Sequence, residues 1–473
     1  MRVTSTTAVS WFVLAMGLAS PWTTWAEETP RPAEQSSRRP NILMVMIDDL
    51  GWMDLSCQGN RAVHTPHLDQ LAREGMRFTD AYAAAPVCSP TRAAVVTGQA
   101  PARLRITNHT PDRPSFTPDN PRLLPAPMHD QLELKAVTIA ELLSAGGYDT
   151  AFFGKWHLSG PGRGRTELEP TAQGFGLNLG GCGFGGPPTF FDPYKIPNLP
   201  PRKTGEYLPD RLADEAIRFI REPRERPFMV FLWNYTVHWP MEAPEPLLDK
   251  YRGHRGPGLN DYRYGAMIEA MDASIGSVLK ALDELGQRNE TLVVFTSDNG
   301  GFSGVADNRP LRDGKGDLYE GGIRVPLILR WPGKVAAGVE CRNPVISMDF
   351  FPTFAHAAGC ELPKELPLDG LALQPLMATG NVAEDNALAR RSLYFHYPNY
   401  AWHRSNRLGG AVRQGEWKLI ERFDSGQREL FRLSDDLSEQ VDLADREPQR
   451  AEALAKQLAS WRQVVDAAMP RRP

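Results

Sequence analysis

The stretch Asn41-Ile42-Leu43-Met44-Val45-Met46-Ile47 runs without a break into Asp48-Asp49. From Ile42 to Ile47 no polar residue interrupts the apolar run, so both faces of an extended chain would be hydrophobic. Such a segment reads as a strand of a parallel sheet covered by helices on each side. Three further runs share this character. Thr291-Leu292-Val293-Val294-Phe295-Thr296-Ser297 leads into Asp298-Asn299-Gly300, and Thr150-Ala151-Phe152-Phe153 leads into Gly154-Lys155-Trp156-His157. Phe228-Met229-Val230-Phe231-Leu232-Trp233 leads through Asn234 to His238. Helical periodicity lies between them. Leu68, Leu71 and Ala72 share a face that stops at Gly75, and Thr138 with Glu141 makes a capping box ahead of Leu142 and Leu143. Met267, Met271, Ile275, Val278, Leu282 and Leu285 stripe a longer helix. The alternation predicts an α/β fold: a large doubly wound, mixed but mostly parallel sheet flanked by helices.

The rest of the 473 residues organises around this core. Residues 1–26 carry Arg2, an apolar stretch from Ala8 to Ala19 and a small-residue exit at Thr24 and Ala26, the pattern of a signal peptide. That stretch is too short to span a bilayer, so the expectation is an exported protein, periplasmic or secreted, with no membrane span. Residues 27–39 read as a flexible lead-in and 40–380 as the α/β domain. Residues 381–473 change to short strand-like segments, such as Gly415–Ile420 and Glu429–Leu433, before a helix from Pro448. They read as a smaller C-terminal α+β subdomain, an antiparallel sheet plus helix. Proline-rich 108–128 and glycine-rich 174–186 read as loops. A net charge of −4 leaves no basic surplus and argues against a nucleic-acid partner. Cys57, Cys88, Cys182, Cys341 and Cys360 form an odd set, which fits the withdrawal of one cysteine for chemistry.

In open parallel sheets ligands bind outside the carboxyl ends of the strands, so the four polar continuations should face one crevice. Asp48, Asp49, Asp298 and Asn299 offer only oxygen ligands and suit a hard divalent cation, calcium first and magnesium second. Three carboxylates gathered there would repel one another without a metal. Lys155 and His157 lie two apart beyond a strand, and His238 sits in Val237-His238-Trp239-Pro240. Arg92 falls in the first turn of a helix, and Lys315 in Asp313-Gly314-Lys315-Gly316. Each alone reads equally as a solvated turn, a satisfied histidine or a surface charge. Together they describe a site for a tetrahedral oxyanion ester. Cations and a metal would bind the non-bridging oxygens while a histidine protonates the departing alcohol.

Five ordered blocks give this site a family likeness. They are Met46–Trp52, Cys88-Ser89-Pro90-Thr91-Arg92 with Thr97-Gly98, Gly154–Leu158, Ser297–Gly300, and Gly314-Lys315 leading to Glu320–Pro326. The chain resembles the formylglycine-dependent type I sulfatases, arylsulfatase-like members of the alkaline phosphatase superfamily. Val96 stands where the family's signature usually has leucine, and Ser159 where glycine often follows. The resemblance implies that a host formylglycine-generating system oxidises Cys88 to formylglycine. Asp48, Asp49, Asp298, Asn299 and the modified Cys88 would then bind one Ca2+. Arg92 would hold the aldehyde hydrate and His157 would hydrogen-bond one of its hydroxyls. The other hydroxyl would attack sulfur, with Lys155 and Lys315 on the sulfate oxygens and His238 assisting departure of the alcohol. A sulfoenzyme intermediate would form, and proton removal aided by His157 would release sulfate. The implied function is a sulfuric ester hydrolase, with a sulfated carbohydrate as the expected substrate. A phosphate or phosphonate monoester hydrolase on the same scaffold is the alternative, and a silent sulfated-glycan-binding protein the remote one. Expected substrate contacts are His109 in the proline-rich loop, Asp307, Asn308, Arg309 and Arg312 ahead of Lys315, and Trp402 with His403.

Overall fold

The four apolar runs become the centre of one sheet. In the computed structural model, which describes residues 6–11, 39–160, 165–254, 256–403 and 406–473, fourteen strands form among the described residues. They are β1 (Asn41–Ile47), β2 (Met76–Phe78), β3 (Ala81–Tyr82), β4 (Asp149–Gly154), β5 (Leu177–Leu179), β6 (Phe228–Trp233), β7 (Thr291–Ser297), β8 (Leu327–Arg330), β9 (Val339–Cys341), β10 (Val345–Ile346), β11 (Ser392–Tyr397), β12 (Gly409–Gln414), β13 (Trp417–Arg422) and β14 (Arg428–Arg432). Eight make a sheet in the order β5-β4-β6-β1-β7-β8-β2-β9. The predicted strands β4, β6, β1 and β7 are adjacent and mutually parallel, whereas β8 runs antiparallel to β7 and β2. Met46 lies opposite both Trp233 and Thr296, and Gly154 opposite Trp233, so the four carboxyl ends are level. β3 and β10 pair separately.

Side-chain alternation along β1 explains the uninterrupted apolar sequence. Leu43, Val45 and Ile47 join one core with helices Pro66–Glu74, Leu208–Arg221 and Tyr262–Glu284. Ile42, Met44 and Met46 join the other with helices Cys88–Thr97, Ile139–Ala145 and Phe350–Ala357. Each such side chain, fully buried, contributes roughly 1.5–3 kcal/mol. The capping box forms: the Glu141 N–H donates to Thr138 Oγ1 at 3.1 Å and the Thr138 N–H to Glu141 Oε2 at 2.8 Å. Leu285 departs from its predicted stripe, because the long helix ends at Glu284 and leaves Leu285 exposed at the C-cap. The glycine-rich stretch also differs from expectation. Leu177–Leu179 is an edge strand on β4, and its half-buried residues lack the two-faced apolar pattern that marks the central strands.

Strands β11 to β14 form an antiparallel four-stranded sheet. Helix Pro448–Val464 packs Leu454 and Leu458 on one face against Val412, Leu419 and Leu430. The other face sets Phe395, Ala411, Ile420 and Phe431 on Tyr82, Val87, Ala94 and Leu318. Residues 39–473 are accordingly one compact unit. The predicted leader, 1–26, lies outside the described residues except for 6–11, as does 27–38 of the lead-in. No helix among the described residues is long and apolar enough to cross a membrane. The five cysteines are unpaired.

A buried charge knot ties the short helix Glu320–Ile323 to the C-terminal sheet. Lys418 Nζ on β13 is 2.8 Å from both Glu320 Oε1 and Glu439 Oε1, and all three side chains are fully buried. Burial pushes Glu439 up to about 7 against the pull of Lys418. Burial acts the same way on Glu320, but Lys418, Arg324 and Arg413 outweigh it and hold that carboxyl at about 2. Removing the shared cation leaves two carboxylates facing each other out of water. Lys418→Met is therefore expected to destabilise the protein by about 3–5 kcal/mol in urea unfolding, with partial recovery on adding Glu439→Gln.

Candidate active site

Backbone hydrogen bonds tie the strand ends before any side chain is considered. The Asp48 N–H donates to the Thr236 carbonyl at 2.9 Å, the Val237 N–H to the Asp48 carbonyl at 2.7 Å, and the Asp298 N–H to the Ile47 carbonyl at 3.1 Å. Asp49 adopts a left-handed φ of 63°, with the Tyr264 hydroxyl 3.0 Å from its carbonyl and 2.5 Å from Asp54 Oδ2. Gly154 has φ 107°, and a Cβ there would collide with the Trp233 carbonyl, so the end of β4 requires glycine. Lys155 follows, its N–H donating to that same carbonyl at 2.7 Å. His157 is also left-handed, at φ 59°, and its carbonyl accepts from Ser89 Oγ at 3.0 Å and Thr110 Oγ1 at 2.6 Å. Strain of this kind persists only where surrounding contacts over-determine it. Cys88 opens a helix in which every residue is buried.

These elements gather one cluster. Asp48, Asp49, Cys88 and Asp298 each offer a donor atom, all within 4.8 Å of one another. Cys88 Sγ is 3.3 Å from Asp48 Oδ1, 3.8 Å from Asp49 Oδ1 and 3.4 Å from Lys315 Nζ. Lys155 Nζ donates to Asp48 Oδ2 at 2.6 Å, and Lys315 Nζ to Asp49 Oδ2 at 2.7 Å. Arg92 Nε donates to Asp298 Oδ2 at 2.9 Å and one terminal nitrogen to the Lys155 carbonyl at 2.6 Å, with Trp233 beneath the guanidinium at 5.4 Å. Asn299 Nδ2 donates to Asp49 Oδ1 at 2.9 Å, while its buried Oδ1 has no partner. His238 Nε2 lies 3.8 Å from Asp49 Oδ2, and its Nδ1 is 2.9 Å from the Trp239 carbonyl.

Burial and charge divide the carboxylates. Burial pushes Asp48 up to about 7, opposed by Lys155 and reinforced by Asp298 and Asp49. Burial would also raise Asp49, but Lys315, His238 and Lys155 outweigh it and hold the carboxyl below its ordinary range. Asp298 is likewise lowered, with Arg92 the strongest force against burial. Burial, then the charges of Asp298 and Asp48, raises the Cys88 thiol well above its usual value. Burial, Lys315 and Lys155 push His238 down to about 3 against the pull of Asp49, and burial, Lys155, His109 and Arg92 push His157 well below the imidazole range. Three internal cations therefore leave one carboxylate hard to ionise, which a further cation among these oxygens would relieve.

A cavity of about 640 Å³ has His157 and His238 in its wall, and His238 connects it to the cluster through Asp49. The proline-rich loop contributes His109, Thr110 and Phe116, and Trp402 stands at the margin, 45% exposed. His403 is buried and stacks on His109 with ring centroids 5.4 Å apart. Asp307, Asn308, Arg309 and Arg312 are not among the described residues lining this cavity, and each has a partner within the protein. Asp307 accepts from the Gly258 N–H and from Arg309. Asn308 Nδ2 brackets the Gly301 and Asp313 carbonyls. Arg312 donates to the Glu439 carbonyl and lies over Tyr319. Sequence reading missed Tyr264 and the pair Gly185 and Gly186. A Cβ on Gly185 would sit 2.9 Å from His157 Nε2, and one on Gly186 2.7 Å from His238 Nδ1. Their glycine-rich composition was the available signal.

Comparison with known proteins agrees with this geometry. A family model described as Sulfatase matches residues 40–360, and one described as N-sulphoglucosamine sulphohydrolase, C-terminal, matches 314–464. Steryl-sulfatase of Mus musculus is 35% identical, the match covering 83% of this chain and 72% of that protein. Arylsulfatase A of Homo sapiens is 34% identical over 81% of this chain and 75% of its own. The crystal structure of Ps i-CgsB in complex with k-i-k-neocarrahexaose superposes with a TM-score of 0.75 at 28% identity, covering 90% of this chain and 93% of that one.

The glycine pair generates a test. Gly186→Ala is expected to lower kcat/KM on an aryl sulfate by about 10²-fold through displacement of His238, with the unfolding midpoint nearly unchanged. Steady-state kinetics beside a thermal melt would check both halves.

Proposed function

The chain belongs to the sulfatase family, within the alkaline phosphatase superfamily, and is a sulfuric ester hydrolase; we propose that it works through a formylglycine made from Cys88 beside one calcium ion. The observation that carries this reading is the position of Cys88, enclosed by Asp48, Asp49 and Lys315 at the mouth of a buried helix. An unmodified thiol suits that place poorly. Its raised pKa keeps it protonated and weakly nucleophilic, and sulfur is a soft partner for a hard cation. Formylglycine, as its hydrate, would supply a nucleophilic hydroxyl and a second one through which sulfate can be expelled. Asp48, Asp49, Asp298 and Asn299 would hold the calcium, which would neutralise their charge and polarise a sulfate oxygen. The unpartnered Asn299 Oδ1 and the reluctance of Asp48 to ionise both support a cation there.

The chain's own groups account for the remaining work. Arg92 fixes Asp298 and the Lys155 carbonyl, so the helix carrying residue 88 and two strand ends keep one geometry. Lys155 and Lys315 reach the cluster from opposite carboxylates and are the cations available to sulfate oxygens. His157 has an unpartnered buried Nδ1, suited to holding or accepting a proton, and its carbonyl is held by Ser89, the neighbour of residue 88. The Nδ1–H of His238 donates to the Trp239 carbonyl, which leaves Nε2 to exchange a proton with the leaving oxygen. Burial keeps this imidazole neutral in the absence of substrate; the negative charge of a sulfate ester acts in the opposite sense and favours the protonated acid.

A sulfated carbohydrate is the proposed substrate, supported by a roomy cavity with His109 and an exposed Trp402 beside the histidines and by the oligosaccharide named with Ps i-CgsB. The leader-like residues 1–26 support export to the periplasm or medium, with modification of Cys88 by the host. The same reading takes the region after about residue 380 as the C-terminal subdomain.

Mass spectrometry of the peptide containing residue 88 should find the aldehyde or its hydrate in protein from a competent host. Cys88→Ala should lower kcat by roughly 10⁴–10⁶-fold while the fold survives. Aryl sulfate should be hydrolysed faster than the matching aryl phosphate; a clear preference for phosphate would overturn the sulfate assignment. Chelation should abolish turnover and Ca2+ should restore it better than Mg2+, whereas full activity in chelator would exclude the metal.

A further inference from the structure

Among the described residues of its wall, the cavity carries one arginine that the reaction does not use. Arg113 lies in its wall, on the exposed side of the proline-rich loop. Its guanidinium stands over the Phe116 ring at 5.9 Å, and no carboxylate lies within ion-pair distance of it among the described residues. The adjacent Asp112 is turned to other work: its Oδ1 accepts from Asn108 Nδ2 at 3.1 Å and from the Arg113 backbone N–H at 3.0 Å. None of the described residues lining the cavity is acidic. Thr110 Oγ1 in that wall is taken by the His157 carbonyl and His109 Nδ1 by Asn108 Oδ1, while His109 Nε2 and His157 Nδ1, neutral imidazole nitrogens, have no partner. An arginine with no counter-charge among the described residues, beside an aromatic ring and in a wall whose described residues carry no carboxylate, is suited to bidentate capture of a planar or tetrahedral anion.

That anion is not the sulfate being cleaved. Phe116 and His109 intervene between Arg113 and His157, in successive ring contacts of 6.4 Å and 6.1 Å. We infer that Arg113 reads a second anionic group of the substrate, apart from the sulfate being cleaved, so that the preferred substrate is a saccharide bearing at least one further sulfate or carboxylate. This rests on the sulfated-carbohydrate reading and narrows it to polyanionic chains. It also separates this chain from an enzyme for uncharged aryl or steroid alcohols, for which Arg113 would have no partner.

The test compares kcat/KM on a monosulfated oligosaccharide with that on the same oligosaccharide carrying one additional sulfate or carboxylate, using calcium-loaded protein with formylglycine verified. The wild type is expected to prefer the polyanion by about tenfold or more, and Arg113→Gln to remove most of that preference through KM. Arg113→Lys should retain part of it as a point charge. An equal loss on both substrates, a change confined to kcat, or no preference in the wild type would overturn the inference. Failure of the wild type to turn over 4-nitrophenyl sulfate and both saccharides would instead overturn the sulfatase chemistry on which it rests.

Discussion

Asp48, Asp49 and Asp298 are held out of water within touching distance of one another, and much of the molecule is arranged around that unfavourable gathering. Like charges in a low-dielectric site repel strongly, so each carboxylate is met by a cation: Lys155, Lys315 and Arg92. Those cations come from three separate elements, the end of β4, a glycine-flanked loop and the buried helix Cys88–Thr97. Their convergence requires that the strands end at the same height, which the parallel register of β4, β6, β1 and β7 provides. Sheet geometry and site electrostatics are thus one constraint seen at two scales.

The C-terminal sheet belongs to the same arrangement. Lys315 is only five residues before Glu320, the carboxylate that shares Lys418 with Glu439. Between them Asp317 pairs with the fully buried Arg422 of β13 at 3.2 Å. The stretch that carries Lys315 is therefore anchored on its far side by ion pairs from the C-terminal sheet, and on its near side by Asn308 and by the Lys315 N–H to the Gly301 carbonyl at 3.0 Å. A loop that reads as mobile and solvated in isolation becomes a rigid mount. The short helix Glu320–Ile323 owes its two glycines to the same crowding, since a Cβ on either would run into loop backbone.

Polar groups were harder to place than apolar ones. Asp307, Asn308, Arg309 and Arg312 have the composition of a sugar-binding loop, yet Asp307 pairs with Arg309 and the Gly258 N–H, Asn308 Nδ2 with the Gly301 and Asp313 carbonyls, and Arg312 with the Glu439 carbonyl. Arg113, which no motif singled out, faces the cavity. A charged side chain in a loop has the same sequence signature whether it braces the backbone or meets a ligand. The partner decides, and the partner is distant in sequence.

The central strands, their helices and the identity of the clustered residues were legible without coordinates, because two-faced burial leaves an unbroken apolar run and strand ends in such sheets lead to one crevice. Five ordered blocks around Cys88 gave the family. Strand β5 was not legible, since an edge strand of three half-buried residues has no pattern to separate it from a loop. Nor were Tyr264, Gly185 and Gly186, whose roles depend on touching Asp49, His157 and His238 across long sequence separations. The sequence by itself determined which charged groups gather in the central cluster, since hydrophobic periodicity and local motifs act over short range. Only the tertiary structure decided which groups pair with which and which face the cavity, because those contacts are set by packing between residues tens to hundreds of positions apart.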